Sequence, residues 1–261
     1  MRDLLLLALI LSSIILIHES GHYLAARAFG IECRTFSLGM GPVLWSRQGK
    51  HVKWCLRLVP CGGSVEIAGE SWVPADCIDP DGSPSWILSV PIKKRLYARP
   101  FRQRALVLSA GIMANLVTGF LFLFIACYMV RPDQAFSLAL SSLGQMFASF
   151  AQVLTHPSPD SLSGPVGIWQ SVQFANGQAS VLLYLAGILS VSIALFNALP
   201  VPALDGGRVI MALVERIRRK HFSLKTSNIL IAGSMLVLCF MMLAVTGREL
   251  WQLFDGPGMG T

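Results

Sequence analysis

His18-Glu19-Ser20-Gly21-His22 is the run in this chain best suited to chemistry. On a helix, residues four apart share a face, so both imidazoles can reach one ion. Neutral imidazole nitrogen is a good zinc ligand. Glu19 sits one residue round the helix, placed to take a proton from a metal-activated water. Two histidines satisfied by helix partners would be the plain structural alternative. Three ionisable residues inside an apolar segment are costly, however, and usually serve a function. A catalytic zinc site takes a third protein ligand and keeps a position for water. No third His follows His22 at metzincin spacing, and Glu32 lies beyond Gly30 in a loop. Asp205, at the end of Asn197-Ala198-Leu199-Pro200-Val201-Pro202-Ala203-Leu204-Asp205-Gly206, is the stronger candidate. An interfacial loop aspartate is its structural alternative.

The elements that must carry these residues are apolar. Of 261 residues, 54% are hydrophobic and 13% charged, and mean hydropathy is +0.60. A soluble domain runs near 25% charged. Disorder, coiled coil and a plain soluble globule are therefore excluded, and a bilayer is expected to cover the apolar surplus. Four segments are long enough to cross about 30 Å of hydrocarbon: 4–29, 105–130, 181–204 and 228–246. The chain reads as one mainly α, polytopic membrane domain over 1–261. An N-terminal signal peptide fits the first segment poorly, because Asp3 cancels Arg2 and no small-residue cleavage pattern precedes His18.

A fifth uncharged stretch, 135–154, places Phe136, Leu143, Phe147, Phe150 and Leu154 on one helical face and Ser137, Ser141, Gln145 and Gln152 on the other. That pattern predicts a helix lying on the membrane surface or against the bundle. Eighteen of the 21 Lys and Arg residues fall in 27–104 and 208–225. The positive-inside rule puts those connections in the cytoplasm and both termini outside. Spans one and three are then parallel, and Asp205 meets the cytoplasmic end of the histidine helix. The net charge of +7 is explained by these loops, and no separate basic stripe points to nucleic acid. The six cysteines include no CxxC pair and read mostly as free thiols.

Pro200 and Pro202 should break span three just before Asp205. Asn197, a turn or two earlier, would face the same cavity, where its amide could hold an extended substrate backbone. An interhelical hydrogen bond accounts for it equally well. Gly111 and Asn115 in span two favour close helix packing. Around Pro60-Cys61-Gly62-Gly63, the alternation Val52, Trp54, Leu56, Leu58 and then Val65, Ile67 predicts a β-hairpin within 52–68. The Pro-rich stretch 72–91 reads as an irregular loop.

These residues together resemble the site-2 protease family of intramembrane zinc metalloproteases, nearest to its bacterial regulator-of-sigma-E protease type. HExxH in span one and Asn197…Pro200-Val201-Pro202-Ala203-Leu204-Asp205-Gly206-Gly207 carry the likeness. Ser37-Leu38-Gly39-Met40-Gly41-Pro42, Gln103-Arg104-Ala105 with Gly111 and Asn115, and Leu162-Ser163-Gly164-Pro165-Val166-Gly167-Ile168 add to it. Pro60-Cys61-Gly62-Gly63-Ser64-Val65 resembles the family's membrane-associated β-loop. The resemblance implies one zinc per chain held by His18, His22 and Asp205, with Glu19 as general base. It further implies Asn197 and the Gly62, Gly63, Ser64, Val65 strand as substrate-binding elements. The substrates it implies are membrane-anchored proteins, anti-sigma-factor or signal-peptide in type, met after a prior site-1 cut in a bacterial inner membrane. The 50 residues of 131–180 leave no room for the family's usual PDZ domain of roughly 90 residues. A zinc-holding binding module without turnover is the alternative, and the intact Glu19 argues against it.

Overall fold

The computed structural model describes residues 2–70, 86–156 and 164–255. Most of the 72–91 stretch and Leu162-Ser163 lie outside these residues. Seven α-helices stand among them: α1 (Arg2–Ala28), α2 (Phe101–Val130), α3 (Ala135–Thr155), α4 (Pro165–Phe174), α5 (Ala179–Asn197), α6 (Asp205–Arg218) and α7 (Leu224–Asp255). Strands β1 (Cys33–Gln48) and β2 (Lys53–Ile67) fill the α1–α2 connection.

Among the described residues, five helical stretches are long and apolar enough to cross a membrane: Arg2–Ala28, Phe101–Val130, Pro132–Thr155, Ala179–Asn197 and Lys225–Gln252. The sequence pattern predicts four. The additional one contains α3 and has the lowest mean hydropathy, 1.2 against 2.0–2.5 for the others. It packs against α2 and α5. Its Ala135 and Ala139 are buried, the Ser142 and Tyr184 hydroxyls lie 3.0 Å apart, and Phe150 meets Phe196 edge to face. Phe136, Phe147 and Leu154 of the predicted apolar face are exposed instead. The inward side is the one whose small residues allow close approach to α2.

Helix directions follow from pairs. His18 stands by Asn115 and His22 by Val107, so α1 and α2 are antiparallel. Ser190 donates to the Asn115 carbonyl, and a Cβ at Gly187 would press on Leu123, so α5 is antiparallel to α2 and parallel to α1. Arg2 lies beside Gly177, just before α5. The end of α2 and the start of α5 are therefore at the same end of the bundle.

The predicted hairpin within 52–68 is corrected. Residues 53–67 form a single bent strand whose partner is 33–48, a stretch not read as a strand. Phe36 pairs with both Trp54 and Val65, Ser37 with both Cys55 and Ser64, and Leu38 with both Leu56 and Gly63. Residues of β2 thus flank 35–38 on both sides. Gly39, Gly41 and Gly62, all at φ above 80°, let the strands bend enough for this. Phe36, Val65 and Ile67 close over a core shared with Ala26 of α1, Val107 and Leu108 of α2, and Ala212 of α6. Cys33 belongs to this core, and burial pushes its thiol up to about 12, which leaves it unreactive. Cys33, Cys55, Cys127 and Cys239 are free thiols.

Span three is also shorter than the apolar pattern suggests. Helix α5 stops at Asn197, and 198–204 turns back on itself through Val201 N–H to the Leu199 carbonyl and Leu204 N–H to the Val201 carbonyl. Pro200 and Pro202 cannot donate, so the helix cannot continue. Asp205 then opens α6. A Cβ at Gly207 would lie 2.0 Å from the Val201 carbonyl oxygen, so only glycine lets α6 start against this turn.

Candidate metal centre

His18 and His22, one turn apart on α1, meet Asp205 from the first turn of α6. Asp205 Oδ2 is 3.0 Å from His18 Nε2 and 3.2 Å from His22 Nε2, and the two Nε2 atoms are 3.2 Å apart. All three residues are buried. His22 Nδ1–H donates to the Val107 carbonyl at 2.9 Å, which leaves Nε2 as a bare lone pair. Two such lone pairs and a carboxylate oxygen converging on one point make a donor set for a cation. A tetrahedral zinc with bonds of about 2.0–2.1 Å holds its ligands about 3.3 Å apart. The observed triangle has that size, so the donor set fits zinc.

Asn115 completes the arrangement. It is fully buried, its Nδ2 lies 3.3 Å from His18 Nδ1, and its Oδ1 has no partner. Rotating the amide end for end gives Oδ1 to the His18 Nδ1–H, which turns Nε2 toward the carboxylate in the required tautomer. Both imidazoles are then aimed from α2, which stays helical through 111–115. Gly111 permits this approach, because a Cβ there would sit 2.4 Å from His22 Nε2. Sequence reasoning left Asn115 and Gly111 as packing residues. The signal that marks them is a small residue and an amide four apart, facing a histidine pair.

A cavity of about 360 Å³ opens beside the triangle. His18, Glu19, His22, Gly62, Gly63, Ser64, Val65, Asn197 and Asp205 all line it, so every predicted site residue is brought together. Gly63 is pressed against Glu19, where a Cβ would meet the Glu19 Cγ at 2.9 Å. The Asn197 amide donates to the Ile193 carbonyl of its own helix at 3.0 Å rather than to another helix, and the residue lines the cavity. Among the described residues, 63–67 pair only with β1, which leaves their other edge unpaired in the sheet register. Glu70 and Arg208, an ion pair lining the same cavity, escaped the sequence reading. The Glu70 carboxylate holds the Arg208 guanidinium firmly charged.

Residues 6–242 match Peptidase family M50. The chain belongs to this family of site-2 proteases. It is a zinc metalloprotease with several membrane helices. A relative from Fusobacterium nucleatum with zinc metalloprotease in its name is 24% identical over 354 residues, covering 96% of this chain and 99% of the relative. One from Clostridium perfringens is 25% identical over 337 residues (92% and 96%). One from Streptococcus pneumoniae is 28% identical over 146 residues, and there the match spans 55% of this chain and only 33% of the relative. The 354-residue alignment exceeds the 261 residues of this M50 chain by 93, so the Fusobacterium protein carries at least that much sequence absent here.

Asn115→Leu keeps bulk but cannot bond the ring. It is expected to weaken zinc binding about 10- to 100-fold, measured by competition against a chromogenic chelator. Asn115→Asp, which retains an acceptor, should recover most of the affinity. Equal affinities in all three proteins would reduce Asn115 to a packing residue.

Proposed function

We propose that this protein hydrolyses peptide bonds within the transmembrane segments of membrane-anchored proteins. The observation that carries the reading is that Glu19, the three-ligand triangle and an unpaired strand edge share one cavity, at the depth of a membrane helix. His18, His22 and Asp205 would hold one zinc ion. Zinc, when bound, supplies a Lewis acid for the scissile carbonyl and the attacking water.

The chain's own residues supply the rest. Glu19 takes the proton of the attacking water and returns it to the leaving amine. A helical substrate hides its carbonyls, so it must unwind first. The free edge at Gly63, Ser64 and Val65 offers backbone partners for the unwound strand. Asn197 faces that strand from across the cavity.

The same reading orients the chain. Four crossings, with α3 against the bundle, put the basic loops and the active site on the cytoplasmic side of a bacterial inner membrane and both termini outside. The distribution of Lys and Arg supports this, as does the shared end of α2 and α5. Val43, Leu44, Trp45 and Leu58, exposed on the sheet, suit contact with that membrane face. The substrates would be proteins trimmed beforehand by a first cut on the outer side.

The test uses the full chain reconstituted with a protein anchored by one transmembrane segment. Cleavage should map within that segment, stop when 1,10-phenanthroline strips the metal, and return with added zinc. Cleavage confined to extramembrane loops, or no cleavage of any anchored substrate by a chain holding one zinc, would overturn the proposal.

A further inference from the structure

The hollow between the start of α2 and the end of α6 shares no lining residue with the cavity beside the metal triangle. Its volume is about 610 Å³, and six cations line it: Arg99, Arg102, Arg104, Arg216, Arg219 and Lys220. The carboxylate in this lining, Glu215, is already engaged. Arg104 Nη2 donates to it at 2.6 Å, the Phe222 N–H at 3.0 Å, and His221 Nδ1 lies 3.2 Å away. Burial alone would raise this carboxyl, but those hydrogen bonds hold it below the usual carboxylate range. It therefore neutralises one cation and leaves the others in excess.

Two further features point to an anion. Arg104 is only 9% exposed, lines the hollow, and its Nε has no hydrogen-bond partner. Helix α2 begins at the same place behind Pro100 with no side-chain cap. Its first N–H groups and the positive end of its dipole therefore add to the field of the arginines. Arg216 is steadied at the rim by lying 5.2 Å over the Phe101 ring.

The surface above the hollow says which anion. Leu106, one turn after Arg102, begins a stripe of exposed apolar side chains along α2 that continues through Met113, Val117, Leu121, Ile125 and Tyr128. A molecule with a phosphate in the hollow and hydrocarbon chains along the stripe would use both. A soluble phosphate compound would use only the first. We propose that this hollow binds the phosphate headgroup of an anionic phospholipid whose acyl chains lie along α2.

The test is native mass spectrometry of the full chain in detergent with phosphatidylglycerol and phosphatidylcholine in competition. Phosphatidylglycerol should be retained at least about tenfold better, and Arg102→Gln, Arg219→Gln and Lys220→Gln together should erase that preference, since each basic residue near the surface is worth about a fivefold factor. All three residues are exposed, and helix content by circular dichroism together with zinc content verifies the fold. In the unaltered chain, a photoactivatable phosphatidylglycerol should crosslink to peptides covering 99–106 or 216–220. Preference unchanged in the triple variant, or crosslinks only elsewhere, overturns the proposal. Displacement of the lipid by millimolar inorganic phosphate also overturns it, because the site would then belong to a soluble phosphate ligand.

Discussion

Glu19→Gln should leave zinc bound and lower cleavage by a factor of about 10² to 10⁴, the usual contribution of a general base. Glutamine matches glutamate in size, so it fits the space left by Gly63 without moving the strand. It cannot accept a proton. The metal triangle does not include residue 19, so the ion should be retained. The two readouts are zinc per chain by plasma mass spectrometry and product formation from an anchored substrate in proteoliposomes. Retained zinc with lost cleavage separates a failure of proton transfer from a failure of folding. Undiminished cleavage in this variant would falsify the role given to Glu19.

A second large effect is expected from a smaller change. In Gly111→Ala, the new methyl group would stand 2.4 Å from His22 Nε2 and 2.8 Å from His18 Nε2. Neither ring can retreat easily, because Val107 and Asn115 of the same helix hold their other nitrogens. The variant is expected to lose stoichiometric zinc and, with it, all measurable cleavage. Its helix should not suffer, since alanine favours a helix over glycine by about 1 kcal/mol. Gly144→Ala makes a fair control: it lies in α3, and an added Cβ there has nothing within 4 Å. Full zinc content in Gly111→Ala would mean that α1 and α2 stand further apart than described.

What could be read from the sequence was whatever depends on helical period and on the cost of polar groups in apolar surroundings. His18 and His22 share a face by spacing alone. Asp205 was conspicuous because few carboxylates stand near an apolar segment's end. Position a turn or two before Asp205 places Asn197 at the cavity, resemblance places Gly62 to Val65 there, and all of them line it. The features that were missed depend on tertiary contact. A strand partner cannot be inferred from one strand, so 33–48 was not paired with 53–67. Glu70 and Arg208 meet across 138 residues. Asn115 looked like helix packing because its partner lies on another helix. Apolar content cannot separate a crossing helix from one leaning on the bundle, so α3 joined the candidates. Nor does it mark where Pro200 and Pro202 end α5, which is why the third span was drawn seven residues too long.

The ligand on α6 lies 183 residues after its partner His22. The order of synthesis then governs when the protease becomes dangerous to its surroundings. On the proposed site, the histidine helix enters the membrane first with two of three ligands and the general base, and it would stay inert until α5 has inserted and the Asn197–Asp205 turn has folded back against α1. A nascent chain interrupted anywhere before residue 205 is a membrane protein without a blade. Completion of the bundle would then be the step that arms the site.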